Sequence, residues 1–220
     1  AERGGDASQL TYWDGILAQH GAFLIHARIS ALDALEKFAA RFHQVLTSDN
    51  EILRLSYQPS FDPIPHREGQ IALPLDTHPE RGAFTLEQIQ QGFLQRLEHS
   101  RRQEIHRGVT ACGPHRDELR FLANGVDLGD YGSRGQARTA LLALKLAEVA
   151  WLRQVSGEWP VLLLDEILAE LDTGRRHDLL AALEDCDQAL LTTTDRQLFS
   201  PEFLEQITTW QVQSGTVQPV

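Results

Sequence analysis

Residues 161–172 read VLLLDEILAELD, and the reading of this stretch decides the fold. Nearly all-apolar sequence over 159–164 predicts a parallel strand buried on both faces. Asp165 and Glu166 then fall at its carboxyl end, where open α/β sheets bind ligands. In that position Asp165 is placed to hold Mg2+, directly or through water, and Glu166 to orient or activate an attacking water. The same acids would also be favourable charges at the N-terminus of a following helix. The stretch alone leaves both readings open.

Upstream, residues 129–146 read GDYGSRGQARTALLALKL. Ser133 can cap a helix running from Arg134 to about Val155. Free backbone N–H groups, a hydroxyl and the positive end of the helix dipole would converge at Ser133-Arg134-Gly135-Gln136, a ready anion site. By itself this segment could also be a simple cap and turn. The order GSRGQ, apolar helix, LLLDE, then ELD at 170–172 is more specific than either piece alone. Further on, a helix covers Leu179–Ala182, a buried strand Ala189–Thr193 and a short helix Pro201–Gln206, and an edge hairpin turns at Ser214-Gly215. Alternation of strand and helix gives an α/β core.

A nucleotide reading of these motifs calls for a phosphate loop with a Gly-Lys-Ser/Thr sequence. The chain's two lysines, Lys37 and Lys145, follow Glu36 and Leu144. The 220 residues therefore hold no Walker A motif, and the expectation is that the chain is one part of a larger machine. The absence of methionine points the same way, toward a piece of a longer polypeptide.

The region before residue 108 has another texture. From Tyr12 to about Leu46, apolar residues recur at three and four, predicting a helix long enough for an arm or hairpin as well as for packing on a domain. Residues 51–57, EILRLSY, alternate as a strand, and Ile71–Leu75 is a short candidate strand. Thr85–Arg107 is helical, with Thr85 as N-cap and Gln88 at N3 in a capping box. Beyond Gly108, Asn124-Gly125 is a strong hairpin signal. The expected domains are a helical arm with a small β excursion over 1–107 and an α/β unit over 108–220.

Formal net charge is −11, which argues against indiscriminate nucleic-acid binding. Apolar runs are far shorter than the ~20 residues of a membrane-spanning helix. The polar start, AERGGDASQ, does not read as a secretory leader. Cys112 and Cys186 sit in no CxxC pattern, so neither a zinc site nor a disulfide framework is expected, and the balance favours the cytosol. Arg96, Arg101, Arg102 and Arg107 form a local cationic cluster that could contact DNA phosphates, or be a solvated face paired with Glu98 and Glu104.

GPHRDEL at 113–119, YGSRGQARTALLALKLAE at 131–148 and VLLLDEILAELDTGRR at 161–176 together resemble the C-terminal part of the RecF family. These are recombination mediators within the ATP-binding-cassette ATPases of SMC and Rad50 type. The resemblance implies an α/β fold class: the C-terminal part of a P-loop ATPase head plus a mainly helical arm domain. It implies a homodimer on ATP binding, with nucleotide sandwiched between subunits. Ser133 and Gly135 of the signature motif would then contact the γ-phosphate held by the partner, with Arg134 and Gln136 shaping the loop. Asp165 would be the magnesium aspartate, Glu166 the catalytic glutamate, and Asp172 part of the D-loop at the seam. Many cassette ATPases place a histidine where this chain has Thr194, so slower hydrolysis or a different trigger is implied.

The resemblance further implies ATP and Mg2+ as cofactors and double-stranded DNA or ds/ss junctions as a partner. It implies RecO and RecR as co-mediators in loading recombinase, and a bacterial cytoplasmic, nucleoid-associated setting without a membrane. Weak DNA-stimulated ATPase activity would belong to the full-length protein, with these residues alone inactive. Two alternatives remain at this stage: the head of another SMC- or Rad50-like repair ATPase, and a DNA-binding module without turnover.

Overall fold

A computed structural model describes residues 8–64, 81–183 and 186–219. Helix α1 spans Ser8–Leu46, 39 residues, four more at its start than the apolar periodicity indicates. Strand β1 (Leu53–Gln58) follows, and helix α2 covers Leu86–Arg107. The candidate strand at Ile71–Leu75 lies outside the described residues. Thr85 and Gln88 form the expected capping box, and Gly108, at φ 68°, closes the helix in the left-handed conformation. Both ends of α2 are thus set by local chemistry.

Strands β2 (Glu118–Ala123) and β3 (Val126–Asp127) turn at Asn124 (φ 49°) and Gly125 (φ 80°). Positive φ at both central residues matches the right-handed twist of a two-residue hairpin. Strand β1 pairs antiparallel with β2 from Leu53 opposite Ala123 to Gln58 opposite Glu118. A short helix α3 (Leu128–Tyr131) leads into α4 (Arg134–Ser156). Then come β4 (Leu162–Leu164), α5 (Thr173–Leu183), β5 (Ala189–Leu191), α6 (Pro201–Gln206) and the hairpin β6–β7 (Trp210–Gln213, Thr216–Pro219). Strands β4 and β5 are parallel neighbours, with Leu163 opposite Leu190.

Two cores share α1. The first packs Ala18, Ala22, Ile25 and Ile29 against Ile89, Phe93 and Leu97 of α2. Gly21 permits this approach, because a Cβ there would lie 2.5 Å from the Phe93 ring. The second core takes Ala39 and Leu46 from the other half of α1. With them pack Leu53 and Leu55 of β1, Ala140, Ala143 and Ala147 of α4, Leu162, and Leu179 of α5. The long helix is therefore both half of a hairpin and a packed core element. Asp117 ties the two regions. Its side chain accepts from Arg28 Nη1 at 2.6 Å, Tyr57 Oη at 2.5 Å and Ser60 N at 2.9 Å. Burial first, then the Asp117 carboxylate, pushes the Tyr57 hydroxyl well above its ordinary pKa.

Strand β4 is parallel, and among the described residues only one of its faces is covered. Leu162 is 8% exposed, whereas its neighbour Leu163 is 74% exposed and Leu190 across the ladder 49%. Side chains alternate across a strand, and the helices cover only the Leu162 side of this two-stranded sheet. Among the described residues no helix is long and apolar enough to cross a membrane.

Candidate functional site

The ends of β4 and β5 bring three residues together. Thr192 follows β5 and donates its backbone N–H to Leu164 O at 3.0 Å, extending the parallel ladder. Its hydroxyl donates to Asp165 Oδ1 at 2.5 Å and accepts from the Glu166 backbone N–H at 3.0 Å. Asp165 is exposed, so one carboxylate oxygen is braced while the group faces solvent. Glu166 has φ 52° and ψ 13°, and its side chain makes no capping bond to the turn Ile167–Glu170. A left-handed non-glycine residue is uncommon and costs free energy. Helix α5 takes its cap from elsewhere: Asp172 Oδ1 accepts from Arg175 N at 3.0 Å. No capping hydrogen bond therefore comes from the Glu166 side chain.

The donor set suits a small, hard cation. A carboxylate and a hydroxyl oxygen match Mg2+, which keeps several waters and needs only one or two carboxylates beside phosphate oxygens. Among the described residues no group of three or more His, Cys, Asp or Glu side chains could hold a metal alone. The remaining ligands would have to come from water and a phosphate.

The loop before α4 is built with equal care. Ser133 Oγ accepts from Gln136 N at 3.2 Å, and Gln136 Oε1 accepts from Ser133 N at 3.0 Å. This reciprocal box leaves the Arg134 and Gly135 N–H groups at an exposed helix start, where the dipole favours an anion. The two glycines flanking Ser133 and Arg134 differ. A Cβ on Gly132 would meet Leu128 O at 2.5 Å, so the fold requires that glycine. A Cβ on Gly135 would meet nothing nearer than Ser133 Oγ at 3.9 Å. The chain itself makes no steric demand there, although glycine weakens a helix relative to alanine.

Gln136 also reaches across the fold, donating Nε2 to Glu51 Oε1 at 2.8 Å. Glu51 Oε2 lies 3.1 Å from Nε2 of His43, which is fully buried. Asp172 is exposed, and hydrogen bonding from Arg175 N, chief among its causes, holds its carboxyl below the usual range. Arg175 Nε donates to Leu46 O at 3.1 Å. Thr194 is exposed, and Asp195 caps the next turn by accepting from Gln197 N at 2.9 Å. Among the described residues, no hydrogen bond or ion pair joins Ser133–Gln136 to Asp165 or Glu166. The sequence reading missed Thr192, Glu51 and Arg175. Only the first carried a signal, a hydroxyl residue at the end of the strand predicted beside LLLDE.

Of the four arginines on α2, Arg96, Arg102 and Arg107 are exposed. Arg101 differs: its Nη2 donates to Asp14 Oδ2 at 2.6 Å and its Nε at 3.1 Å. That pair ties α2 to α1, and Glu104 instead accepts from Ala111 N at 2.7 Å.

Comparison with known proteins follows the same line. No protein-family model matches the chain. It is 39% identical over 211 residues to the DNA replication and repair protein RecF of Chloroflexus aurantiacus, covering 96% of this chain and 50% of that protein. It is 38% identical over 213 residues to that of Microcystis aeruginosa, covering 97% and 52%. A solved structure of the recombination mediator protein RecF with ATPrS, of the RecFOR pathway, superposes with a TM-score of 0.77 at 29% identity. It covers all of this chain and 52% of that one. A structure of RecF with ATP gives a TM-score of 0.74 at 29% identity, with the same coverage. The chain thus spans about half the length of the relatives it matches.

Proposed function

Over its whole length this chain matches the C-terminal part of RecF, and we propose that it contributes the signature, Walker B and D-loop motifs of an ATP-gated DNA-repair dimer. One observation carries this reading. The Ser133–Gln136 loop is firmly built, with donors free at its start, yet among the described residues it makes no bond to Asp165 or Glu166. A phosphate-facing loop separated from its own acids fits a nucleotide held by a second subunit.

In this reading Asp165, braced by Thr192, would hold magnesium, and Mg-ATP, when bound, would supply the phosphoryl group. Glu166 orients the attacking water and takes up its proton. Ser133 Oγ and the Arg134 and Gly135 N–H groups face the γ-phosphate bound by the partner, where preorganised donors are most effective. Asp172 lies at the seam. Thr194 offers a hydrogen bond without charge, so turnover is slow. The phosphate loop lies in a segment outside these 220 residues, which alone do not bind nucleotide tightly. The proposed domains are an arm over 1–107 and a head part over 108–220, with the second half of α1 and strand β1 packed into the core of the head part. The dimer engages double-stranded DNA or ds/ss junctions through Arg96, Arg102 and Arg107, with Arg101 holding their helix, and works with RecO and RecR in the bacterial cytoplasm on the nucleoid.

The test is Glu166→Gln in the full-length protein. The expected result is an ATP-dependent dimer that persists because hydrolysis is lost, seen by light scattering together with phosphate release. Parental turnover in that variant would defeat the assignment of Glu166. A parent that stays monomeric with saturating Mg-ATP would defeat the split-site reading.

A further inference from the structure

The turn between α1 and β1 carries contacts to both loops described above. Gln136 uses its carbonyl oxygen to close the Ser133 box and its amide to reach Glu51. Glu51 is held in turn by His43, whose side chain is 0% exposed. The turn itself is closely fixed. Thr47 Oγ1 donates to His43 O at 2.8 Å, Asn50 Nδ2 donates to Thr47 O at 2.8 Å, and Ser48 and Asp49 have φ of 50° and 62°. Arg175, beside Asp172, donates to Leu46 O in the same turn.

We propose that Glu51 is a positioning residue for the Ser133–Gln136 loop: it clamps the Gln136 amide against His43 and thereby holds the loop in its phosphate-facing geometry. The inference rests on the reading that this loop serves a nucleotide in the partner subunit. Gln136 has one side-chain oxygen, and the Ser133 N–H occupies it. With its amide hydrogens satisfied by Glu51, the side chain has one orientation that closes the box. Without Glu51 the amide is free to turn, and the Ser133 N–H loses its acceptor. His43 fixes the other carboxylate oxygen. Burial above all lowers its pKa, and with a proton on Nε2 it donates to Glu51 across 3.1 Å. Besides Glu51, the ring faces the Arg175 guanidinium and the Thr139 backbone. Its Nδ1 is buried without a hydrogen-bond partner, so a proton placed there would be left unsatisfied, and the tautomer protonated on Nε2 is the favoured one.

That fixed tautomer makes the test specific. Both Gln136 and His43 donate to Glu51. In Glu51→Gln the amide oxygen can accept from only one of them while its NH2 faces the other, so half of the clamp is lost. In Glu51→Ala all of it is lost. Measured on the full-length protein, E51A should raise the ATP concentration or protein concentration needed for dimerisation about tenfold, the worth of one charge-assisted hydrogen bond. It should also lower kcat while leaving the ATP affinity of dilute monomer unchanged. E51Q should fall between the parent and E51A. Glu51→Asp keeps the charge beside His43 but shortens the reach to Gln136. It should show the same defect, and it carries the test if E51A fails to fold.

A parental dimerisation midpoint in E51A, or in E51D where E51A does not fold, overturns the proposal. So does an E51A effect that adds fully to that of Gln136→Ala. Ser133→Arg separates the two levels. If it abolishes the ATP-dependent dimer while the Glu51 variants do nothing, the loop reading stands and only the clamp falls. If S133R dimerises normally, both fall.

Discussion

Thr192 holds Asp165 from the adjacent strand, its hydroxyl 2.5 Å from Asp165 Oδ1 while the same oxygen accepts the Glu166 N–H at 3.0 Å. One side chain thus orients the carboxylate proposed to hold magnesium and the backbone of the next acid. Thr192→Val removes both bonds at constant shape. Because the site is exposed, the expected loss of stability is small, below about 1 kcal/mol. Groups that orient metal ligands are worth about 10–100-fold in metal affinity or activity. T192V should therefore lose Mg-dependent ATP turnover on that scale, while Thr192→Ser keeps it, as a magnesium titration of phosphate release would show.

Gly132 and Gly135 should respond oppositely to alanine. At Gly132 the added Cβ would lie 2.5 Å from Leu128 O, an overpacking worth about 1–3 kcal/mol of stability. At Gly135 the space is open, and alanine in the first turn should leave the thermal midpoint unchanged or raise stability by up to about 1 kcal/mol. If the loop meets a partner's phosphate closely, G135A nevertheless loses ATP-dependent dimerisation. A G135A protein that is stable and dimerises normally would remove the argument for close approach.

Glu166 combines a functional assignment with an unfavourable backbone, φ 52°. Glycine adopts that conformation without a Cβ penalty of about 1–2 kcal/mol. Glu166→Gly should therefore raise the thermal midpoint while abolishing turnover. If E166G instead unfolds more readily than the parent, the strain assigned to this position is not released by removing the side chain.

How much of this was legible follows from the range of the interactions. The capping boxes at Thr85 and Ser133 and the turns at Asn124-Gly125 and Ser214-Gly215 are local, and the residues that make them lie within three positions of each other. Each stood in the sequence in full. The order GSRGQ, helix, LLLDE likewise fixed the parallel pair and its acid-bearing end. What the sequence could not show joins distant residues: Glu51 with Gln136, Arg175 with Leu46, Arg28 and Tyr57 with Asp117. Leu163 is apolar yet exposed among the described residues: hydrophobicity reports that a face needs cover, not which segment covers it.

Acidification should weaken the fold through His43. Its folded pKa lies below the ordinary 6.5, chiefly through burial. Above pH 6.5 both folded and unfolded states carry the neutral ring and the contribution is fully present. As pH falls below 6.5 the unfolded state takes up the proton first, so stability declines until the folded pKa is passed. His43→Gln should flatten that part of the profile. Thermal midpoints of parent and variant at pH 7.5, 6.5 and 5.5 test this: equal slopes would assign the acid sensitivity elsewhere.

The arginines of α2 should separate into two kinds. Arg101 is only 27% exposed and chelates Asp14, so Arg101→Ala should act on the α1–α2 packing, at about 1 kcal/mol for a partly exposed pair. Asp14→Ala should mimic it. Arg96, Arg102 and Arg107 are exposed, and alanine at each should leave the midpoint unchanged. If they touch DNA phosphates, each substitution should lower affinity for double-stranded DNA and reduce the slope of log K against log salt by about 0.9. Base sequence should not matter to the loss, since phosphate contacts carry no sequence information. A triple variant binding DNA with the parental salt dependence would take this face out of the DNA interface, and an R101A protein that loses DNA binding without losing stability would put Arg101 into it.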